Sequence, residues 1–140
     1  MFVAHIERGR SNVIWNDVLK LYHAVGWSKH NAENIIKIYN STTHTSFAYV
    51  DGQLAGLGRA LSDGVFNAAI YDIIVSPDYQ GLGLGREIVV DLLAQLQDVS
   101  CVHLISTTGN EEFYRKAGLK MAKTAMARYL NKEMESEYLL

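Results

Sequence analysis

One stretch constrains this chain more than any other: an apolar strand that runs straight into a glycine-spaced turn and a helix. Ala69-Ile70-Tyr71-Asp72-Ile73-Ile74-Val75 is apolar on both faces apart from one carboxylate, the pattern of a central strand covered on two sides. The loop Ser76-Pro77-Asp78-Tyr79 leads to Gln80-Gly81-Leu82-Gly83-Leu84-Gly85-Arg86. A helix follows to about Leu96, with Ile88, Val89, Leu92, Leu93 and Leu96 at the spacing of one buried face. Cys101 to Ser106 reads as the next buried strand, so the intervening helix is a crossover and the two strands are parallel.

The remaining elements build outward from that unit. Asn12 to Val25 repeats apolar residues (Ile14, Val18, Leu21, Tyr22, Val25) at helical steps, with Gly26 as its stop. Ser28 is the expected N-cap of a second helix that carries Ala32, Ile35, Ile36 and Tyr39 on one side. Thr45–Val50, Leu54–Leu61 and Val65–Val75 read as three strands of a meander, joined by the turn signals Asp51-Gly52 and Asp63-Gly64. Glu111–Ala117 is a short helix closed by Gly118, and Thr124–Leu130 is expected as a last strand. The fold class is therefore α/β (α+β): a central mixed sheet with helices on both faces. No linker or repeat interrupts the 140 residues, so 1–140 reads as one domain.

Composition excludes several classes of function. With 49% hydrophobic and 20% charged residues the chain is ordinary for a globular protein, and at this length it can bury roughly 70% of its unfolded surface without a disulfide or metal staple. A net charge of −2 argues against a nucleic-acid or anionic-membrane partner, which needs clustered basic surface. No apolar run approaches the roughly 20 residues of a bilayer span. The N-terminus lacks the pattern of a signal peptide, and a single cysteine, Cys101, fits the reducing cytoplasm. Cys101 itself is expected to be a buried structural thiol rather than an acyl carrier. The five histidines show no metal-ligand spacing, so no metal is expected.

The glycine segment has chemistry of its own. The first N–H groups of a helix lack intrahelical acceptors and lie at the positive end of its dipole. Glycines let those groups converge on a phosphate, and Arg86 adds a nearby positive charge. The Rossmann pattern G-x-G-x-x-G fails here, because its third glycine falls on Arg86 or Ile88; the Walker pattern fails because no Gly-Lys-Ser/Thr is present. A turn that merely lets the helix approach the sheet is the plain structural alternative.

Gln80-Gly81-Leu82-Gly83-Leu84-Gly85 resembles the Q/R-x-x-G-x-G/A acyl-CoA signature of the GNAT N-acetyltransferase superfamily. The preceding Ile73-Ile74-Val75-Ser76-Pro77 and the later Glu112-Phe113-Tyr114-Arg115-Lys116-Ala117-Gly118-Leu119 are similar to the family's strand-loop and F-Y-x-x-x-G-F segments, with Leu119 in place of the second phenylalanine. The order of elements agrees over nearly the whole chain. Val25-Gly26-Trp27 and the run from Arg59 to Asp72 also look like the branch that includes plastid and cyanobacterial arylalkylamine acetyltransferases.

The resemblance implies acetyl-CoA as cosubstrate and a primary amine, small or on a protein, as acceptor. It places the pantetheine arm along the backbone of Ile73 and Val75 as an added strand. An N–H near Ile74 would face the oxyanion, and the diphosphate would lie on Gln80, Gly81, Leu82, Gly83, Leu84, Gly85 and Arg86. Tyr114 matches the family's general acid, and a phenol can protonate a departing thiolate with little driving-force penalty. The family often has a CoA-contacting asparagine six or seven residues before that tyrosine. Thr108 and Thr107 stand there instead, so either Asn110 substitutes or the contact is absent.

Asp72 is the anomalous carboxylate. It is expected to act as base or to bind the substrate ammonium, or else to be engaged by a turn or by Arg59. Trp27 and Phe66 are aromatics near loops where an acceptor could bind, with core packing as the alternative. Family members often form homodimers, in which the Thr124–Leu130 strand or the Glu133–Leu140 tail could take part. A non-catalytic CoA-binding or sensing domain, and a nucleotide-binding protein, are the competing functions.

Overall fold

A computed structural model describes residues 4–140, and the chain divides into two compact units, Met1–Ile105 and Ser106–Leu140. The first holds a five-stranded sheet built from β1 (Ala4–Glu7), β2 (His44–Val50), β3 (Gln53–Ser62), β4 (Asn67–Val75) and β5 (Cys101–His103), ordered β1-β2-β3-β4-β5. The first four strands are antiparallel neighbours, and β4 and β5 are parallel. The mixed sheet read from the sequence is therefore present. Its β1 edge was not foreseen, because four residues carry too little periodicity to register.

Both expected hairpins form. Asp51 and Gly52 both have positive φ (49° and 79°), the geometry of a tight turn between twisted strands. At the β3–β4 turn the Asp63 carboxylate accepts from the N–H groups of Val65, Phe66 and Asn67, at 2.8, 2.8 and 3.1 Å. Those three donors hold its pKa below the ordinary aspartate value.

Helices cover both faces of the sheet. On one, α3 (Leu84–Gln95) packs Leu84, Ile88 and Leu92 onto Ala48, Val50, Ala55, Ala60, Ala68 and Ile70. On the other, α1 (Trp15–Ala24) and α2 (Ala32–Asn40) bury Val18, Leu21, Tyr22, Ile35 and Tyr39 against Phe47, Leu57 and Ile74. Gly56 and Gly58 of β3 admit α3 closely. A Cβ on Gly58 would stand 2.6 Å from Ile88 Cγ2 and 2.7 Å from Ile73 Cδ1.

Several expected boundaries move. Helix α1 begins at Trp15, with Ile14 as an N-cap that is 64% exposed rather than part of the buried face. Helix α2 starts after Asn31, not Ser28. The Asn31 side chain accepts from Asn34 N–H at 2.9 Å and the Asn34 side chain accepts from Asn31 N–H at 2.7 Å, so both orphan donors are satisfied reciprocally. Ile36 lies on the exposed side of that helix.

The second unit contains α4 (Glu111–Lys116) and α5 (Lys132–Tyr138) and, among the described residues, no strand. The strand expected over Thr124–Leu130 is absent. Met126 and Leu130 are 95% and 82% exposed, and the unit offers no other strand to complete a ladder. Cys101 also departs from expectation: it is exposed. In the three-residue β5, Val102 packs toward the α3 core, which turns Cys101 and His103 to the opposite face.

Candidate active site

The site-forming feature of the sheet is a phase slip in β4. Register with β3 runs from Ala68↔Ser62 to Tyr71↔Arg59 and resumes one residue out of step at Ile74↔Leu57. Asp72 lies at the slip with φ +54°, the left-handed region that aspartate tolerates better than most residues. Before it, Ala68 and Ile70 face the α3 core; after it, Ile73 and Val75 face that core, while Ile74 joins the α1/α2 core. This is a β-bulge, which breaks the ladder locally and increases the twist of the strand.

From Ile70 onward β4 has no partner in β5. The parallel pairing covers only Asn67, Ala68 and Ala69, opposite Cys101, Val102 and His103. Ile70 to Val75 therefore presents backbone donors and acceptors at an edge that β5 does not fill. Ile73 and Val75, which the resemblance sets against the pantetheine arm, and Ile74, whose N–H it sets near the oxyanion, all lie on this segment.

The strand then delivers the chain to the glycine turn. Ser76 N–H donates to Ala55 O at 2.8 Å, and a single 3₁₀ turn, Pro77–Tyr79, carries the chain over the sheet end. Gln80 Nε2 donates back to Val75 O at 3.5 Å. Gly81 and Gly83 have φ of +84° and +80°, and Gly83 is the N-cap of α3. No side chain caps this helix, so its first N–H groups remain available to a ligand. Leu84 is buried and pins the turn, while Gly81, Leu82, Gly83 and Arg86 are exposed. The segment from Gln80 to Arg86 thus lies at the end of β4 that follows the bulge.

Behind the bulge, on the α1/α2 side, lies a hydrogen-bonded cluster. Asp72 Oδ2 accepts from Arg59 Nε at 2.6 Å and from the Tyr22 hydroxyl at 2.8 Å. The Tyr22 hydroxyl, whose O–H is used in the bond to Asp72, accepts in turn from Tyr39 OH at 3.0 Å. Arg59 also donates to Thr42 Oγ1 at 3.3 Å and lies over the Tyr71 ring, 5.1 Å from its centroid. The pairing of Asp72 with Arg59, one of the arrangements expected from the sequence, is present. Burial, then the neighbouring phenol and carboxylate, push the Tyr22 pKa far above the usual tyrosine range; burial does the same to Tyr39. Burial works most strongly against the Arg59 charge, but Asp72, Tyr22 and Tyr39 together outweigh it and the net shift is upward.

Trp27 belongs to the same neighbourhood. Its ring meets Tyr22 edge-on at 5.6 Å and stacks on His30 at 6.1 Å. Phe66 does not: it is 66% exposed in the β3–β4 turn, nine residues from Val75 and so roughly 25–30 Å along the strand from the glycine turn. In the second unit, Tyr114 lies on α4, and burial raises its phenol above the ordinary value. Asn110 is the N-cap residue of α4, and its side chain donates to Thr107 Oγ1 at 2.5 Å instead of capping. Among the described residues no group of three histidine, cysteine or acidic side chains is arranged to hold a metal, and no helix is long and apolar enough to cross a membrane.

A bulged strand parting from its parallel neighbour thus runs into an uncapped, glycine-opened helix. The family model described as acetyltransferase (GNAT) family matches residues 13–119, and the chain belongs to that family. The uncharacterized N-acetyltransferase ycf52 of the red alga Pyropia yezoensis is 34% identical over 76% of this chain and 65% of its own length. Serotonin N-acetyltransferase 2, chloroplastic, of Oryza sativa subsp. japonica is 40% identical over 54% of this chain and 38% of its own length. The chain thus spans just under two thirds of the algal relative and much less of the rice one. Among solved structures, a GNAT family acetyltransferase from Streptococcus pneumoniae superposes with a TM-score of 0.78 at 28% identity, covering 93% of this chain and 99% of that one.

Proposed function

We propose that residues 1–140 form one catalytic domain that transfers acetyl from acetyl-CoA to a primary amine by direct attack in a ternary complex. The observation that carries this reading is the open β4 edge beyond the bulge, continuous with the uncapped N-terminus of α3. An extended acyl-pantetheine arm can add to that edge through its amides, as a strand would, while its diphosphate lies against the N–H groups after Gln80. A backbone N–H near Ile74 faces the developing oxyanion, where a fixed donor outperforms water.

The neutral amine attacks the thioester carbonyl, the tetrahedral species collapses, and the C–S bond breaks. Tyr114 donates its phenolic proton to the CoA thiolate; its raised pKa keeps that proton in place at neutral pH. The proton lost by the amine leaves to solvent, and solvent returns a proton to the Tyr114 phenolate, which restores the enzyme. Arylalkylamines head the list of acceptors, because the rice relative acts on serotonin by its name and because Trp27 and Tyr71 are aromatic groups close to the Tyr22–Asp72–Arg59 cluster.

Thiol release from acetyl-CoA, measured across arylalkylamines, polyamines, amino sugars and peptide termini, tests this reading. Tyr114→Phe is expected to lower kcat by about 10²-fold or more with acetyl-CoA affinity retained. Acetyl-CoA binding without thiol release for any amine would leave a CoA-sensing domain and overturn the catalytic assignment. Stronger thermal protection by ATP than by CoA would overturn both.

A further inference from the structure

We propose that Asp72 is a positioning residue: Arg59 of β3 and Tyr22 of α1 grip its carboxylate and so hold β4 in the bulge that exposes the Ile73–Val75 edge. This rests on the acetyltransferase reading for its catalytic consequence, and on geometry alone for the clasp itself.

A bulge needs a cause, because the extra residue gives up ladder hydrogen bonds. Here the cause is a side chain in the extra position. Asp72 has φ +54°, and one oxygen receives both a guanidinium N–H at 2.6 Å and a phenol O–H at 2.8 Å. The donors come from different layers. Arg59 lies in the neighbouring strand, directly opposite Tyr71, and Tyr22 lies on the helix packed over that face. The same arginine stacks on Tyr71, so two consecutive residues of β4 are drawn to one side of the sheet, which regular alternation forbids. Each grip is itself anchored, Arg59 by Thr42 Oγ1 and Tyr22 by Tyr39.

The pairing also disfavours Asp72 as the base. Its carboxylate and the Arg59 guanidinium are 16% and 13% exposed and neutralise each other. A base for an ammonium group needs an oxygen presented to the acceptor, whereas Oδ2 already holds two donors. What the cluster supplies instead is backbone direction. Residues 73 to 75 emerge from the bulge with their alternation reversed, and the edge that would hold the acyl arm emerges with them.

Three readouts on Asp72→Asn, Asp72→Ala and Tyr22→Phe test the clasp: amide spectra of Tyr71–Val75 in 15N-labelled protein, acetyl-CoA affinity by calorimetry, and kcat against pH with an amine that supports turnover. Asparagine tolerates the left-handed conformation and can accept both donors on its amide oxygen. Asp72→Asn is expected to lose no more than about fivefold in kcat and to keep the pH profile. Alanine can do neither; Asp72→Ala is expected to shift the Tyr71–Val75 amides and to weaken acetyl-CoA binding by about tenfold or more, lowering kcat with it. Tyr22→Phe, which removes one grip without changing the strand, is expected to move the same amides by less, and serves if the alanine variant does not fold. A loss of about a hundredfold or more in kcat for Asp72→Asn, with amides and acetyl-CoA affinity unchanged, would make Asp72 the base and overturn the proposal. Native amides in both Asp72→Ala and Tyr22→Phe would overturn it as well. If the unaltered protein bound no acetyl-CoA, the functional reading would fail, while the amide spectra would still decide the clasp.

Discussion

Gly58→Ala tests the packing that sets α3, and with it the glycine turn, over the sheet. The added Cβ would stand 2.6 Å from Ile88 Cγ2, 2.7 Å from Ile73 Cδ1 and 3.0 Å from Leu92 Cδ1. Ile73 and Leu92 present the ends of their side chains, which can swing aside. Ile88 cannot, because a β-branched residue in a helix has essentially one χ1 rotamer and its Cγ2 methyl moves only with the helix. Overpacking of this kind costs about 2–3 kcal/mol, and replacing glycine in a strand returns about 0.5–1 kcal/mol of unfolded-chain entropy. The net expectation is a loss of about 1–2.5 kcal/mol, or roughly 4–10 °C in Tm for a unit of this size. Urea denaturation followed by circular dichroism measures it, with an unchanged m-value showing that the unfolded state is not responsible. Because the helix carries Gly83 and Leu84 with it, acetyl-CoA affinity should fall too. A Gly58→Ala protein within about 0.5 kcal/mol of the original would refute the argument, since it would mean that α3 can yield at Ile88 without cost.

Two further outcomes follow from groups already placed. Tyr22 and Tyr39 hold their protons in the folded state well above the pH at which an unfolded tyrosine ionises, so unfolding releases protons at alkaline pH. Their contribution is intact below pH of about 10 and is lost above it, at about 2.7 kcal/mol per pH unit with both phenols and about half that in Tyr22→Phe; alkaline denaturation curves of the two proteins check the slopes. Cys101 is exposed, so one equivalent of a thiol reagent such as DTNB should react in the native protein without denaturant; reaction only after unfolding would contradict its position at the β5 edge.

The parts of the site legible from sequence were those whose residues act through local backbone chemistry. Gly81 and Gly83 announce themselves because only glycine takes φ near +80° readily, and Asp51-Gly52 does so for the same reason. The bulge was hidden, because Ile70 to Val75 is apolar on both faces apart from Asp72 and a run of that kind carries no phase to slip. Asp72 stood out as a misplaced charge, and Arg59 as a partner, but neither indicates that Tyr22, fifty residues earlier, closes the cluster. The Asn31–Asn34 cap was present in the letters and lost to Ser28, since both types cap helices well. Thr124–Leu130 has the composition of a strand. Composition cannot supply the neighbour that a strand requires.

Both tryptophans of the chain belong to the layer formed by α1 and α2. Trp15 meets Tyr39 at 5.3 Å, and Trp27 meets Tyr22 at 5.6 Å. Tryptophan fluorescence, excited selectively, therefore watches one face of the sheet and is blind to the other. If the α3 side loosened first under heat or denaturant, emission would stay constant while far-ultraviolet ellipticity had already begun to change, and that disagreement would time the two layers separately without any added label.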